Sequence, residues 1–274
     1  MNLIRKLALC AAMLGGLTAG PAFAQADASQ LSDEQMEEAR LFVVDNALYI
    51  IMHEAGHMLI SELGLPVLGK EEDAVDNLAS VIMLESDTDE FDQAIMDAAG
   101  GWFLMQNGED ITDNDLMDEH SLNDQRAYTI VCMATGAAPD YFAEFADEIE
   151  FPAERRDRCA GEYQQAADSW EAVLADAELG EGDTPTRFDI IYEQPAPDNE
   201  VWAGLLHDAQ VLETVADLVG SYVKLDDGIR MVATNCGEEN AFWSPEERQL
   251  TFCYEFAGLY AAEIVNYFAE GGEG

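Results

Sequence analysis

The sequence predicts an α+β fold, mostly helical, with a small C-terminal sheet of antiparallel or mixed pairing that packs on a buried central helix. Three observations lead there. Residues 25–179 read as a succession of helices with no convincing strand. The strand candidates all follow a Gly/Asp/Pro-rich break at Gly180–Pro185. One helix, ending at Leu63, is apolar around most of its circumference, which suits the middle of a domain and not its surface.

Residues 1–24 are set aside before any fold argument. Arg5 and Lys6 precede an apolar run, Leu7–Leu17, and Ala22-Phe23-Ala24 is a small-x-small cleavage signal, so the segment reads as a secretory signal peptide. The run is shorter than the ~20 apolar residues of a spanning helix, so no stable membrane anchor is expected after cleavage. Leu9 is too large for the lipoprotein box suggested by Leu7–Cys10. The mature domain is then residues 25–274, with a helical half at 25–179 and a strand-containing half at 186–274.

The first helix, Gln30–Leu63, opens with a Ser32-x-x-Gln35 capping box and ends at Gly64 and Pro66. The polar exceptions in its apolar stretch from Leu41 are Asp45, Asn46, His53, Glu54, His57, Ser61 and Glu62. Further helices are predicted at Glu71–Leu84, Glu90–Met105, Ser121–Thr135, Pro139–Asp147 and Pro152–Ala177. Beyond the break, Arg187–Glu193, Ile229–Thr234, Ala241–Trp243 and Gln249–Cys253 read as strands, with helices at Val201–Tyr222 and Glu255–Ala269.

The chain carries 56 acidic and 12 basic residues, a formal net charge of -44. Such a surface repels phosphate backbones and anionic lipid, which excludes nucleic acid and membrane surfaces as natural partners. Asp110–Glu119 is acidic but lacks the mid-loop glycine and the terminal glutamate spacing of an EF-hand. Four cysteines remain after residue 24, an even number in an exported chain. Three pairings are open, and Cys132–Cys159 with Cys236–Cys253 is preferred because each closes a short loop between adjacent elements.

His53-Glu54-Ala55-Gly56-His57 fits HExxH on a helix. Residues four apart share a face, so both imidazoles can grip one zinc while Glu54 reaches a metal-bound water and takes its proton. Half of the chain's four histidines sit in this motif. On a buried helix, unpaired His and Glu would be costly. A third ligand is sought in Glu72-Asp73-Ala74-Val75-Asp76, which opens the next helix. Glu72 is the candidate ligand, with Glu71 and Asp73 as rivals, and Asp76 one turn on can accept a hydrogen bond from a ligating imidazole. His120, oriented by an acid two residues before it, is the candidate oxyanion donor, with Tyr128, Arg126 and Tyr254 as substitutes. His207 is read as structural.

Several stretches resemble the DUF4344 metallopeptidase family of bacteria. They are His53–His57 followed by LISELGLPVLGKEEDAVDNLA (Leu59–Ala79), DEHSLNDQRAYTIVC (Asp118–Cys132), ERRDRC (Glu154–Cys159) and CGEENAFWSPEERQLTFCYE (Cys236–Glu255). The resemblance implies a zincin-like domain and a gluzincin-like site, with His53, His57 and Glu72 as ligands and Glu54 as base. The block from Cys236 follows the HExxH helix here, whereas in the family it precedes it, as in a circular permutation that would make Gly180–Pro185 a surface linker. Zincin-type sites bind an extended substrate along an edge strand, and no strand candidate precedes His53. The C-terminal sheet therefore has to fold back onto that helix, offering Asn240–Trp243 as the edge.

The reading is a zinc-dependent hydrolase of peptide bonds, acting on a peptide or protein substrate in the periplasm or after secretion. Two rivals belong to other classes: an inactive metallopeptidase-like binding module, and an acidic helical scaffold with a coincidental motif.

Overall fold

The computed structural model describes residues 31–106 and 111–272. The predicted signal peptide lies outside the described residues. Helices α1 (Asp33–Leu63), α2 (Glu71–Glu85), α3 (Asp89–Gln106), α4 (Asp113–Met117), α5 (Asn123–Ala137), α6 (Ala143–Glu148) and α7 (Ala153–Leu174) come first. Strand β1 (Asp189–Tyr192) follows, then α8 (Glu200–Asp208), α9 (Val211–Tyr222), β2 (Arg230–Thr234), β3 (Ala241–Ser244), β4 (Gln249–Cys253) and α10 (Tyr254–Ala269).

Helix α1 is the axis of the molecule. Its Ser32 cap closes the predicted box with Gln35, and Gly64 ends it in the left-handed conformation at φ 62°. Between these ends nearly every side chain from Phe42 to Ile60 is buried, because α2, α3, α9, α10, β3 and β4 all pack around the helix. Buried residues from Ala39 to Phe268 form one contiguous cluster, so helices and sheet share a core.

The sheet is mixed, in the order β1-β2-β4-β3. β1, β2 and β4 run parallel, while β3 pairs antiparallel with β4, Ala241 opposite Phe252 and Ser244 opposite Gln249. β3 is therefore an edge strand, and it lies against α1. Arg248, in the β3–β4 turn, fixes that placement. Its Nε and Nη2 donate to the two carboxylate oxygens of Glu62 on α1 at 2.9 and 2.6 Å, and the same guanidinium reaches the carbonyls of Asp226 and Asp227.

Both preferred disulfides are present. Cys132–Cys159 joins α5 to α7, and Cys236–Cys253 ties the loop before β3 to the end of β4. One helical expectation needs correction. The helix predicted over Val201–Tyr222 breaks at Gln210, which adopts φ 54°. The exposed HDAQ segment, 207–210, offers nothing to bury, so the chain turns there and brings Val211 and Leu212 into the core. Within Asp110–Glu119, Thr112 and Asp115 form a capping box that starts the short helix α4.

A second polar feature of α1 faces α3. The carboxyls of Asp45 and Asp97 hydrogen-bond each other, with Glu90 nearby and Gln93 donating to Asp97 at 3.1 Å. Burial, then the neighbouring carboxylate, raises Asp45 well above the usual range, and burial raises Asp97 to about 6. Both groups hold protons more tightly folded than unfolded. Their contribution is complete below about pH 4 and is lost as pH rises through the folded values. Asp97→Asn is therefore expected to raise stability by about 2 kcal/mol at pH 8 and by little at pH 4. Urea unfolding at both pH values measures this, and an equal effect at the two would contradict a shared proton.

Candidate metal centre

His53 and His57 leave α1 on one face, four residues apart, with ring centroids 5.0 Å from each other. Each ring is held by a carboxylate on α2 through Nδ1. Asp76 Oδ1 lies 2.7 Å from His53 Nδ1, and Glu71 Oε1 lies 2.8 Å from His57 Nδ1. A ring that donates from Nδ1 presents Nε2 as its ligating atom. Both Nε2 atoms converge on the same oxygen, Glu72 Oε2, at 3.2 Å. Two imidazole nitrogens and a carboxylate oxygen, all within 4.8 Å of one another, could hold a metal ion. This nitrogen-and-oxygen donor set suits zinc.

The close approach of α2 that brings Glu72 here depends on Gly56 inside the motif. A Cβ at that position would lie 2.8 Å from Val75 Cβ on α2. Gly56→Ala is expected to cost about 1–3 kcal/mol of stability, and to weaken metal binding because it pushes the Glu72 helix outward. Urea unfolding and a zinc titration report the two effects, and a variant matching the wild type in both would refute the tight contact.

Asp76 is itself supported. Arg126, buried on α5, grips it bidentately, Nε to Oδ2 at 2.7 Å and Nη2 to Oδ1 at 2.8 Å, and the guanidinium stacks 3.6 Å over the Trp102 ring. Its fork is committed to Asp76, which argues against Arg126 as a free oxyanion donor. Tyr254 is excluded more firmly: it is fully buried and its hydroxyl donates to the Glu193 carbonyl. Tyr128 instead packs against Phe103 and Phe151. His120 does reach the centre. Its Nε2 is 3.1 Å from Glu72 Oε2 and its Nδ1 is 2.9 Å from Asp118 Oδ1, yet it is outside the trio that could hold the ion.

The charges are strongly coupled. Burial opposes a proton on His57, but the hydrogen bonds the ring donates to Glu72 and Glu71 outweigh it and push the ring up to about 9. His53 is raised in the same sense, burial being overcome by Asp76 and Glu72. Burial would raise Glu72, yet His120, His53 and His57 together hold it far below the usual carboxylate range. Asp76 is also low, since Arg126 and His53 outweigh its burial. Glu54 behaves oppositely. Only 7% exposed, with His53 Nε2 no closer than 4.0 Å, it is raised by burial, which His53 and His57 offset only in part.

Two cavities meet at Glu54, His120 and Ala241. One of about 350 Å³ is lined by Ile50, Trp102, Leu122 and Phe256, and the other, about 430 Å³, by His57, Glu71, Phe242 and Trp243. The edge strand β3 thus forms a wall common to both.

A family model described as "putative metallopeptidase", DUF4344, matches residues 5–174 and 192–272. The chain belongs to the DUF4344 family. No curated protein and no solved structure matches the chain. In this DUF4344 chain the first matched block carries His53, Glu54, His57, Glu72, Asp76, His120 and Arg126, and the second carries β2 through α10. The unmatched interval contains the Gly180–Pro185 break. Among residues that touch the site, sequence reasoning missed the tie of Arg126 to Asp76 and the hold of Glu71 on His57. Glu71 had a visible signal, an acid beside the candidate ligand, but only the fold tells a ligand from a ligand's partner.

Proposed function

We propose that this protein is a zinc-dependent peptidase of zincin-like architecture, with His53, His57 and Glu72 as the metal ligands. The observation that carries the reading is the convergence of both HExxH Nε2 atoms on one Glu72 oxygen, beside a buried Glu54 at the meeting point of two cavities. Zinc, when bound, supplies a Lewis acid for a substrate carbonyl and acidifies water. Glu54 takes the proton of the attacking water and passes it to the leaving amine. Its burial-raised affinity for protons suits a group that must both accept and return one. His120, oriented through Nδ1 by Asp118, offers Nε2 to the oxygen that gains negative charge. Asp76 and Arg126 keep His53 in its working tautomer.

An extended peptide would lie along β3, whose outer edge pairs with no strand among the described residues. Antiparallel pairing is the more stable arrangement per residue. A peptide so paired enters past Trp243 and His57 and leaves past Asn240 and Trp102. The reaction belongs outside the cytoplasm, a placement supported by two disulfides, and among the described residues no helix is long and apolar enough to cross a membrane.

Purified protein is expected to carry about one zinc per chain and to cleave members of a mixed peptide pool, with loss on chelation and recovery on adding zinc back. Absence of bound zinc would end the reading. Zinc without turnover on any peptide would reduce the chain to a binding module.

A further inference from the structure

We propose that Lys70 is a positioning residue for His120, and that with Asp73 it latches the 118–122 loop onto the helical turn that carries Glu72. The inference rests on the reading of His120 as a donor. Residues 111–120 are all exposed and α4 buries none of its side chains, so core packing does little to hold this loop. Specific bonds hold it instead. Lys70 Nζ donates to the carbonyl of His120 at 2.9 Å and to that of Asp118 at 3.4 Å, and Ser121 Oγ donates to Asp73 Oδ1 at 2.6 Å.

Lys70 is the N-cap of α2, and Glu71, Glu72 and Asp73 form its first turn. The latch and the candidate ligand therefore belong to one rigid unit. The division of labour is physical. Lys70 and Asp73 set where the loop sits relative to Glu72. Asp118 sets how the ring is turned, since its Oδ1 accepts from the His120 backbone N–H at 2.8 Å and lies 2.9 Å from Nδ1. Nε2 is left pointing into the centre, where it meets Glu72 Oε2 at 3.1 Å. The chain has only three lysines, Lys6, Lys70 and Lys224, among 56 acids. One of them stands beside three successive carboxylates and is nonetheless turned onto two carbonyl oxygens of the opposite loop.

The test compares wild type, Lys70→Ala, Lys70→Arg, Ser121→Ala, His120→Ala and the Lys70→Ala/His120→Ala double variant on one peptide cleaved by the wild type, with zinc content and melting temperature for each. Lys70→Ala is expected to lower kcat about tenfold with KM and zinc content unchanged. Lys70→Arg, still able to donate to both carbonyls, restores most of it, and Ser121→Ala acts in the same direction. In the His120→Ala background, removing Lys70 costs nothing further, as two residues working through one ring require. Wild-type kcat in Lys70→Ala, or the same fold-loss with and without His120, would overturn the latch. Wild-type kcat in His120→Ala would sink the donor reading and the latch with it, whereas loss of all peptide cleavage in the wild type would strike at the peptidase reading itself.

Discussion

Glu54→Gln is expected to retain about one zinc per chain and to lose turnover by about 10²–10⁴-fold, the range for a positioned proton acceptor. The side chain is nearly isosteric, so it preserves the packing of a residue that is only 7% exposed. Burial disfavours the charge that an amide does not carry, so the variant is expected to be at least as stable as the wild type. His53→Ala is the complementary change. It removes one Nε2 from the trio and leaves Asp76 without its imidazole, so zinc is lost together with activity. Elemental analysis, thermal melts and kinetics on one peptide separate the two. A Glu54→Gln enzyme with near-normal kcat would remove Glu54 from the chemistry, and a His53→Ala protein with full zinc would remove His53 from the centre.

Arg126→Met is expected to destabilise the fold by about 3–5 kcal/mol, because it leaves the Asp76 carboxylate buried without its main counter-charge. Both ions are nearly inaccessible, at 6% and 4% exposure, so solvent cannot take over the role of the missing partner. The methionine still packs on Trp102, which confines the loss to the charge. Adding Asp76→Asn is expected to recover part of it, since a neutral amide can still meet His53 Nδ1 and costs less to bury. Urea unfolding of the three proteins, chelated to remove the contribution of bound metal, measures the effect. A loss under about 1 kcal/mol for Arg126→Met would mean that the pair is far better hydrated than its burial indicates.

Those parts of the site set by local periodicity were legible in the sequence. His53, Glu54 and His57 fall within one helical turn, and Glu72 and Asp76 within the next helix, so spacing alone brings each set onto a common face. The apolar circumference of α1 likewise announced a central helix. Other features depend on distance between elements, about which spacing is silent. The glycine inside the motif reads as a mere x position until Val75 is seen against it. Arg126 is 50 residues from Asp76 in sequence, and nothing near either one marks the partner. The sheet order was hidden in part: the four strands and the edge position of Asn240–Trp243 were expected, but the parallel pairing of β2 with β4 is decided by how the sheet meets α1.

The fork between Arg248 and Glu62 has a mechanical meaning. Glu62 stands five positions beyond His57 on an unbroken helix, a stiff span of about 7.5 Å. Arg248 stands immediately before β4, whose pairing with β3 is in register from Ala241 to Ser244. Helix, guanidinium and hairpin thus act as a caliper whose jaws are the histidines and the strand edge, and the gap between them is gauged by one charged hinge at the far end.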